Sequence, residues 1–180
     1  MTKARTLADF DSSSINASVL TGTLPALNGS ALTGISSGGI TQALRATNGT
    51  TITVNSTDYS QTVLTQAIDP AASTSKIILM GNIQFSLQAT NDDRGFGYRI
   101  LRDSTTLYTS PTLYNKYHKS TNSDFIEGGH FPFYFIDDGL ADGNSVTYTI
   151  KVANWGGTGK TITLNADGNQ SELMVLELET

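Results

Sequence analysis

Between residues 46 and 180, apolar positions recur at every second residue. Ile83, Phe85 and Leu87 alternate with Gln84, Ser86 and Gln88. Val146, Tyr148, Ile150 and Val152 alternate with Thr147, Thr149 and Lys151, and Met174, Leu176 and Leu178 alternate with Val175, Glu177 and Glu179. A period of two places successive side chains on opposite faces of an extended chain, so each run predicts a strand. Thr51–Asn55, Phe96–Arg102, Thr106–Thr109, Phe131–Ile136 and Thr161–Leu164 are further candidates. Asn48-Gly49, Asp138-Gly139, Asp142-Gly143, Gly156-Gly157 and Asp167-Gly168 separate them with turn chemistry. No window sustains a period of 3.6, and Thr62–Ile68 predicts one or two helical turns at most. About eight short strands divided by Gly-rich turns predict an all-β fold, an antiparallel β-sandwich or jelly roll. The want of crossover helices excludes βαβ units. The last strand runs almost to the C-terminus, which is expected to be tied into a sheet.

Residues 1–45 differ in kind. Ser12-Ser13-Ser14, Gly22, Pro25, Gly29, Gly34 and Gly38-Gly39 break up single apolar residues, and Leu20-Thr21-Gly22 recurs as Leu32-Thr33-Gly34. Two copies fall short of a self-supporting repeat array. This segment is expected to be an extended N-terminal arm, with residues 46–180 as the head. Its packing positions would be Leu20, Leu24, Leu27, Leu32 and Ile35, which recover the entropy of ordering only between chains or on a partner surface.

Composition narrows the chemistry. Charged residues make up 15% of the chain, against roughly 25% in an ordinary soluble domain, while Thr, Ser, Asn and Gly are abundant. The surface is therefore expected to be hydroxyl and amide rather than ionic. Net charge is −5 and no basic run occurs, which argues against a nucleic-acid partner. Cysteine is absent, which removes disulfides, thiolate metal sites and Cys nucleophiles together. No apolar stretch approaches the ~18–20 residues of a membrane span, and no apolar core follows Lys3 and Arg5 as a secretory signal would need. Membrane insertion is not expected.

No catalytic constellation emerges. His118 lies in a polar loop, and His130 follows Gly128-Gly129, neither with metal-ligand spacing. Asp138–Gly143 fails the calcium-loop pattern, with Leu140 at its third position and Thr149 at its twelfth. Turn acids that bond their own backbone explain those residues better. Gly156–Thr161 ends in Gly-Lys-Thr, but the first glycine that a phosphate-binding loop needs is missing, and a strand-like run follows. No catalytic residue, cofactor or metal site is assigned. Phe131–Phe135 is expected to pack one face on the core and the other on a neighbouring subunit, with Pro132 confining it to an edge. Tyr114, Tyr117, His118, Asn154 and Trp155 lie in loops that combine aromatic faces with polar groups, and these are the candidate receptor contacts.

The arm residues Leu7–Phe10 and Asn16–Gly34 resemble segments of tail-fibre and related virion proteins of tailed bacteriophages, notably those of cyanobacteria. Ser75–Leu79, Gly97–Asp103, Tyr148–Val152 and Leu173–Glu179 are similar to the small β-sandwich heads of the same proteins. The resemblance implies a homotrimer whose head is a jelly roll of the tumour-necrosis-factor/C1q type. Its arm would join other virion proteins through residues 1–45, and the particle would be assembled in the host cytoplasm. It further implies a short tail fibre or spike that contacts the host surface, with glycan as the ligand. A capsid decoration (cement) protein is the alternative. A polysaccharide-degrading enzyme is disfavoured by length and by the missing constellation.

Overall fold

The last strand pairs with the first, and the rest nest inside that pair. The computed structural model describes residues 39–110, 115–119, 124–140, 143–156 and 159–178. Among these are β1 (Ile40–Asn48), β2 (Ile52–Val54), β3 (Gln61–Ile68), β4 (Lys76–Thr90), β5 (Arg94–Arg102) and β6 (Thr105–Thr109). They continue with β7 (Lys116–His118), β8 (Asp124–Asp137), β9 (Val146–Asn154), β10 (Ile162–Leu164) and β11 (Ser171–Leu178). β1 pairs with β11, β3 with β9, β4 with β8 and β5 with β6, all antiparallel. The chain is thus folded as one long hairpin and then rolled, which is the strand logic of a jelly roll. One sheet runs β1-β11-β4-β10-β2 with β8 on the other side of β4; the second runs β3-β9-β5-β6, with β7 also on β5.

The core lies between the sheets and is filled by the period-two positions. β9 contributes Val146, Tyr148, Ile150 and Val152; β4 contributes Ile77, Leu79, Ile83, Phe85 and Leu87, all of them buried. Each such side chain removed from water stabilises the fold by roughly 1.5–3 kcal/mol before entropy is counted. At Gly81 the strands crowd so closely that a Cβ would sit 2.2 Å from the Glu172 carbonyl oxygen and 2.7 Å from the Phe133 ring. Only glycine fits there. One polar group crosses the core's end: Asp137, at the end of β8, receives Arg102 Nη1 at 2.9 and 2.8 Å and the Tyr148 hydroxyl at 2.8 Å.

Three expectations are corrected. Residues 40–45, assigned to the arm, form the first half of β1 and pair with β11; the rest of the arm, including Leu20, Leu24, Leu27, Leu32 and Ile35, lies outside the described residues. Thr62–Ile68 is not helical but is strand β3. Its register shifts between Thr62 and Leu64, so that Val63 and Leu64 are both buried and the alternation is broken. In β11 the core face carries Leu173, Val175 and the fully buried Glu177, while Met174 and Leu178 stay partly exposed.

Glu177 contributes to the acid limit of stability. Burial pushes its carboxyl up, but the polar groups around it, with the Ala71 N–H donating to Oε1 at 2.6 Å, outweigh this and hold it below the usual value of 4.5. A carboxylate favoured by the fold lends stability that is lost as pH falls through that range. Burial also pushes the tyrosines up, and there nothing outweighs it: Tyr98 is pushed up to about 12, and Tyr148 is raised by burial and by its bond to Asp137. Both stay neutral in the fold, so stability fades once pH exceeds their ordinary value of 10.0. The melting temperature is therefore expected to be level between about pH 5 and 9 and to fall on either side. Glu177→Gln should flatten the acid limb, and a melt unchanged at about pH 11 would contradict the alkaline one.

Candidate functional site

The short strand β7 and the connections β4–β5 and β9–β10 meet at one end of the sandwich. β7 pairs with the start of β5, opposing Gly95 to Tyr117 and Phe96 to Lys116, while Phe96 also opposes Asn154 on β9. Tyr117 packs directly on this backbone, for a Cβ on Gly95 would lie 2.9 Å from its ring. Its ring meets Trp155 edge-on at 5.2 Å and 65°, and its hydroxyl donates to Asp93 Oδ2 at 2.6 Å. Lys160 Nζ lies 4.9 Å from the centre of the Trp155 ring and ion-pairs with Asp92. Arg94 Nη1 bonds the other Asp92 oxygen at 2.6 Å. Lys160 and Arg94 together hold the Asp92 carboxyl down at about 2. The result is an aromatic corner of two half-buried rings braced by charge, a surface on which a sugar ring or an apolar side chain can stack.

The expected contact residues do not all gather there. Tyr117 and Trp155 meet. His118 points the other way, because neighbours on a strand face opposite sides: its ring stacks on Phe125 at 3.8 Å and its Nδ1 lies 3.1 Å from Glu127 Oε2. Lys116, on the same side, ion-pairs with Glu127. These contacts staple β7 of the second sheet to β8 of the first. Asn154 corrects the expectation outright: it is fully buried, and its Nδ2 donates to the carbonyls of Lys160 at 3.0 Å and Val54 at 3.3 Å. It clamps the loop rather than touching a ligand. Tyr114 lies outside the described residues. That Asp92, Asp93, Arg94 and Lys160 gather round these rings is not legible in the sequence, because nothing in the spacing of residues 92 and 160 says that they meet. Among the described residues, no three His, Asp or Glu side chains converge on a metal position. β10, a strand rather than a helix, follows the Gly-Lys-Thr run.

A second surface lies on the outer face of the first sheet. β8 pairs with β4 alone among the described strands, and it turns Tyr134 (79% exposed) and Ile136 (54%) outward. Tyr134 opposes Met80, which in turn opposes Met174; Ile136 opposes Ile78, which opposes Leu176. Two apolar rows thus cross three strands on a face that an isolated sandwich would keep wet. Both faces of Phe131–Ile136 are apolar, as its sequence implied.

By strand order the chain belongs to the antiparallel β-sandwiches of the jelly-roll class. No family model matches it, and no curated protein matches it in sequence. Among solved structures, it is similar to VP2 of the infectious bursal disease virus subviral particle, with TM-score 0.46 and 13% identity over 77% of this chain and 32% of that one. A structure of the Gx strain of the same virus gives TM-score 0.44 and 10% identity over 77% of this chain and 32% of that one. Its T13 viral particle gives 0.39 and 13%, over 76% and 35%. The chain spans about a third of the length of these proteins.

Proposed function

We propose that this protein is a non-enzymatic structural subunit of a virus particle, a short homotrimeric tail fibre or spike. Its N-terminal arm attaches to the particle and its head contacts the host surface. The outward apolar rows of Tyr134, Ile136, Met80 and Ile78 carry the reading, since exposed apolar surface of this kind belongs to proteins that work assembled. The resemblance of the arm and head segments to phage fibre proteins points the same way. The aromatic corner of Tyr117 and Trp155 then supplies the receptor contact, with glycan hydroxyls meeting the polar groups around it.

Antibody against the head, applied to intact particles from cells that express the chain, tests this by electron microscopy. Label at the tail is expected. Label spread over the capsid would favour the cement alternative, and particles without label would refute a virion role. On labelled particles, Trp155→Ala and Tyr117→Ala should each lower host attachment at least tenfold with the melting temperature within a few degrees. Unchanged attachment by stable variants would remove the corner from the receptor site.

A further inference from the structure

The outer face of the first sheet changes character along β8. Beyond the Asn82–Pro132 pair the apolar rows end, and a groove of about 350 Å3 opens. Ile126 and His130 flank it on β8, with bare backbone at Gly128 and Gly129 between them, and Asp167 and Asn169 form the facing wall.

Nothing inside the fold demands glycine at residue 128. Its φ is not in the left-handed region, and a Cβ there would meet nothing nearer than the Phe85 carbonyl oxygen at 3.5 Å, an ordinary contact. A Cβ on Gly129 would come no closer than 3.7 Å to the Phe85 ring. Glycine in mid-strand weakens a strand, and where the fold has room for a side chain the bare backbone serves the close approach of something else.

The facing wall is rigid. Asn165 and Asp167 both hold left-handed backbone, with φ of 54° and 56°. Asn165 is fully buried: its Oδ1 accepts from the Ser171 N–H at 3.1 Å and hydroxyl at 2.6 Å, and its Nδ2 donates to the Thr50 carbonyl at 3.0 Å. The Ala166 N–H donates to Gln84 Oε1 at 2.9 Å. This buried network fixes a turn that left-handed residues would otherwise resist, and it sets the exposed Asp167 beside the groove before any ligand arrives.

The lining selects the ligand. It offers the Asp167 carboxylate, the His130 imidazole, the Ser86 hydroxyl and the Asn169 amide, with one aliphatic wall at Ile126. No Lys or Arg is among the described lining residues, which disfavours phosphate, sulfate or another anion. One aliphatic side chain among polar groups is too little for a lipid. Closely spaced acceptors and donors beside a small apolar surface suit a ring that carries many hydroxyls. We propose that this groove binds a neutral carbohydrate, with Asp167 accepting from its hydroxyls and the bare strand at Gly128 receiving its ring. The site is separate from the aromatic corner, and it stands whether or not the chain is carried on a virus particle.

The test uses the full chain and saturation-transfer NMR with methyl glycosides of glucose, galactose, mannose, rhamnose and N-acetylglucosamine, followed by a printed array of neutral glycans. At least one neutral sugar should bind. Gly128→Val should abolish that binding while leaving the melting temperature equal or higher. Asp167→Asn, which tolerates the same backbone, should weaken it at least fivefold. Absence of any neutral-sugar response would overturn the proposal. So would wild-type binding by Gly128→Val, or a marked loss of stability in that variant, which would make the glycine structural. Binding lost in Trp155→Ala but kept in Gly128→Val would move the sugar to the aromatic corner.

Discussion

Asp137→Ala should be the most damaging single truncation of a side chain in the head, costing about 3–5 kcal/mol. For a domain of this size that lowers the melting temperature by roughly 10–15 °C. The carboxylate is 5% exposed and its partner Arg102 18%. Arg102 reaches it from the end of β5 in the opposite sheet, and Tyr148 reaches it from β9 at the core's centre. The Gly139 N–H donates to the same group at 3.1 Å, turning the chain out of β8. Removing it strands a largely buried guanidinium, a buried hydroxyl and a turn N–H together, and unmatched burial costs more than the pair ever contributes. Asp137→Asn keeps an acceptor for Tyr148 and should lose less. Arg102→Met in the Asp137→Ala background should recover part of the loss by deleting the orphaned charge. Urea unfolding of the four proteins decides it; a loss under about 1 kcal/mol for Asp137→Ala would mean that water reaches the pair.

The same network shows where sequence reading stops. β9 is legible because one face meets the core and the other stays partly open, so Val146 to Val152 alternate cleanly; Ile83 to Leu87 of β4 read as a strand by residue type, although Gln84 between them is buried too. β3 is not legible, because its bulge buries Val63 and Leu64 side by side and imitates a short helical face. β1 escapes as well: its positions are only half-buried on an outer strand, so Leu44 and Ala46 sit among Thr, Gln and Asn as sparsely as in the arm before them. At the candidate site, single residues were legible and their partners were not. Tyr117 and Trp155 announce themselves as aromatics in polar loops, yet that they touch, and that Asn154 beside them is sealed inside, depends on how β5 draws β7 and β9 together. Burial of Asn154, Asn165 and Glu177 likewise follows from long-range pairing, since a polar residue is buried wherever distant backbone can satisfy it.

That long-range pairing also sets the second large effect, on assembly. The full chain is expected to sediment as a trimer at micromolar concentration, and Tyr134→Glu with Ile136→Glu is expected to release monomers. Both side chains point outward from β8, yet they sit over a sheet whose other face is core, so their backbone is rigid before association. Rigid apolar side chains at the centre of a contact are where binding energy concentrates, and losing one costs about 2 kcal/mol or more. Two such losses, with a carboxylate to be desolvated at each position, should weaken association by roughly a thousandfold. Folding should survive, because neither side chain contributes to the buried core. Ile126 provides the control: it is 77% exposed on the same face of the same strand, but eight residues away, about 27 Å along β8. Ile126→Glu should therefore leave the trimer intact. If the double variant still sediments as a trimer, subunits meet elsewhere; if the wild type is monomeric at tens of micromolar, the apolar rows serve another partner and the trimeric fibre reading falls.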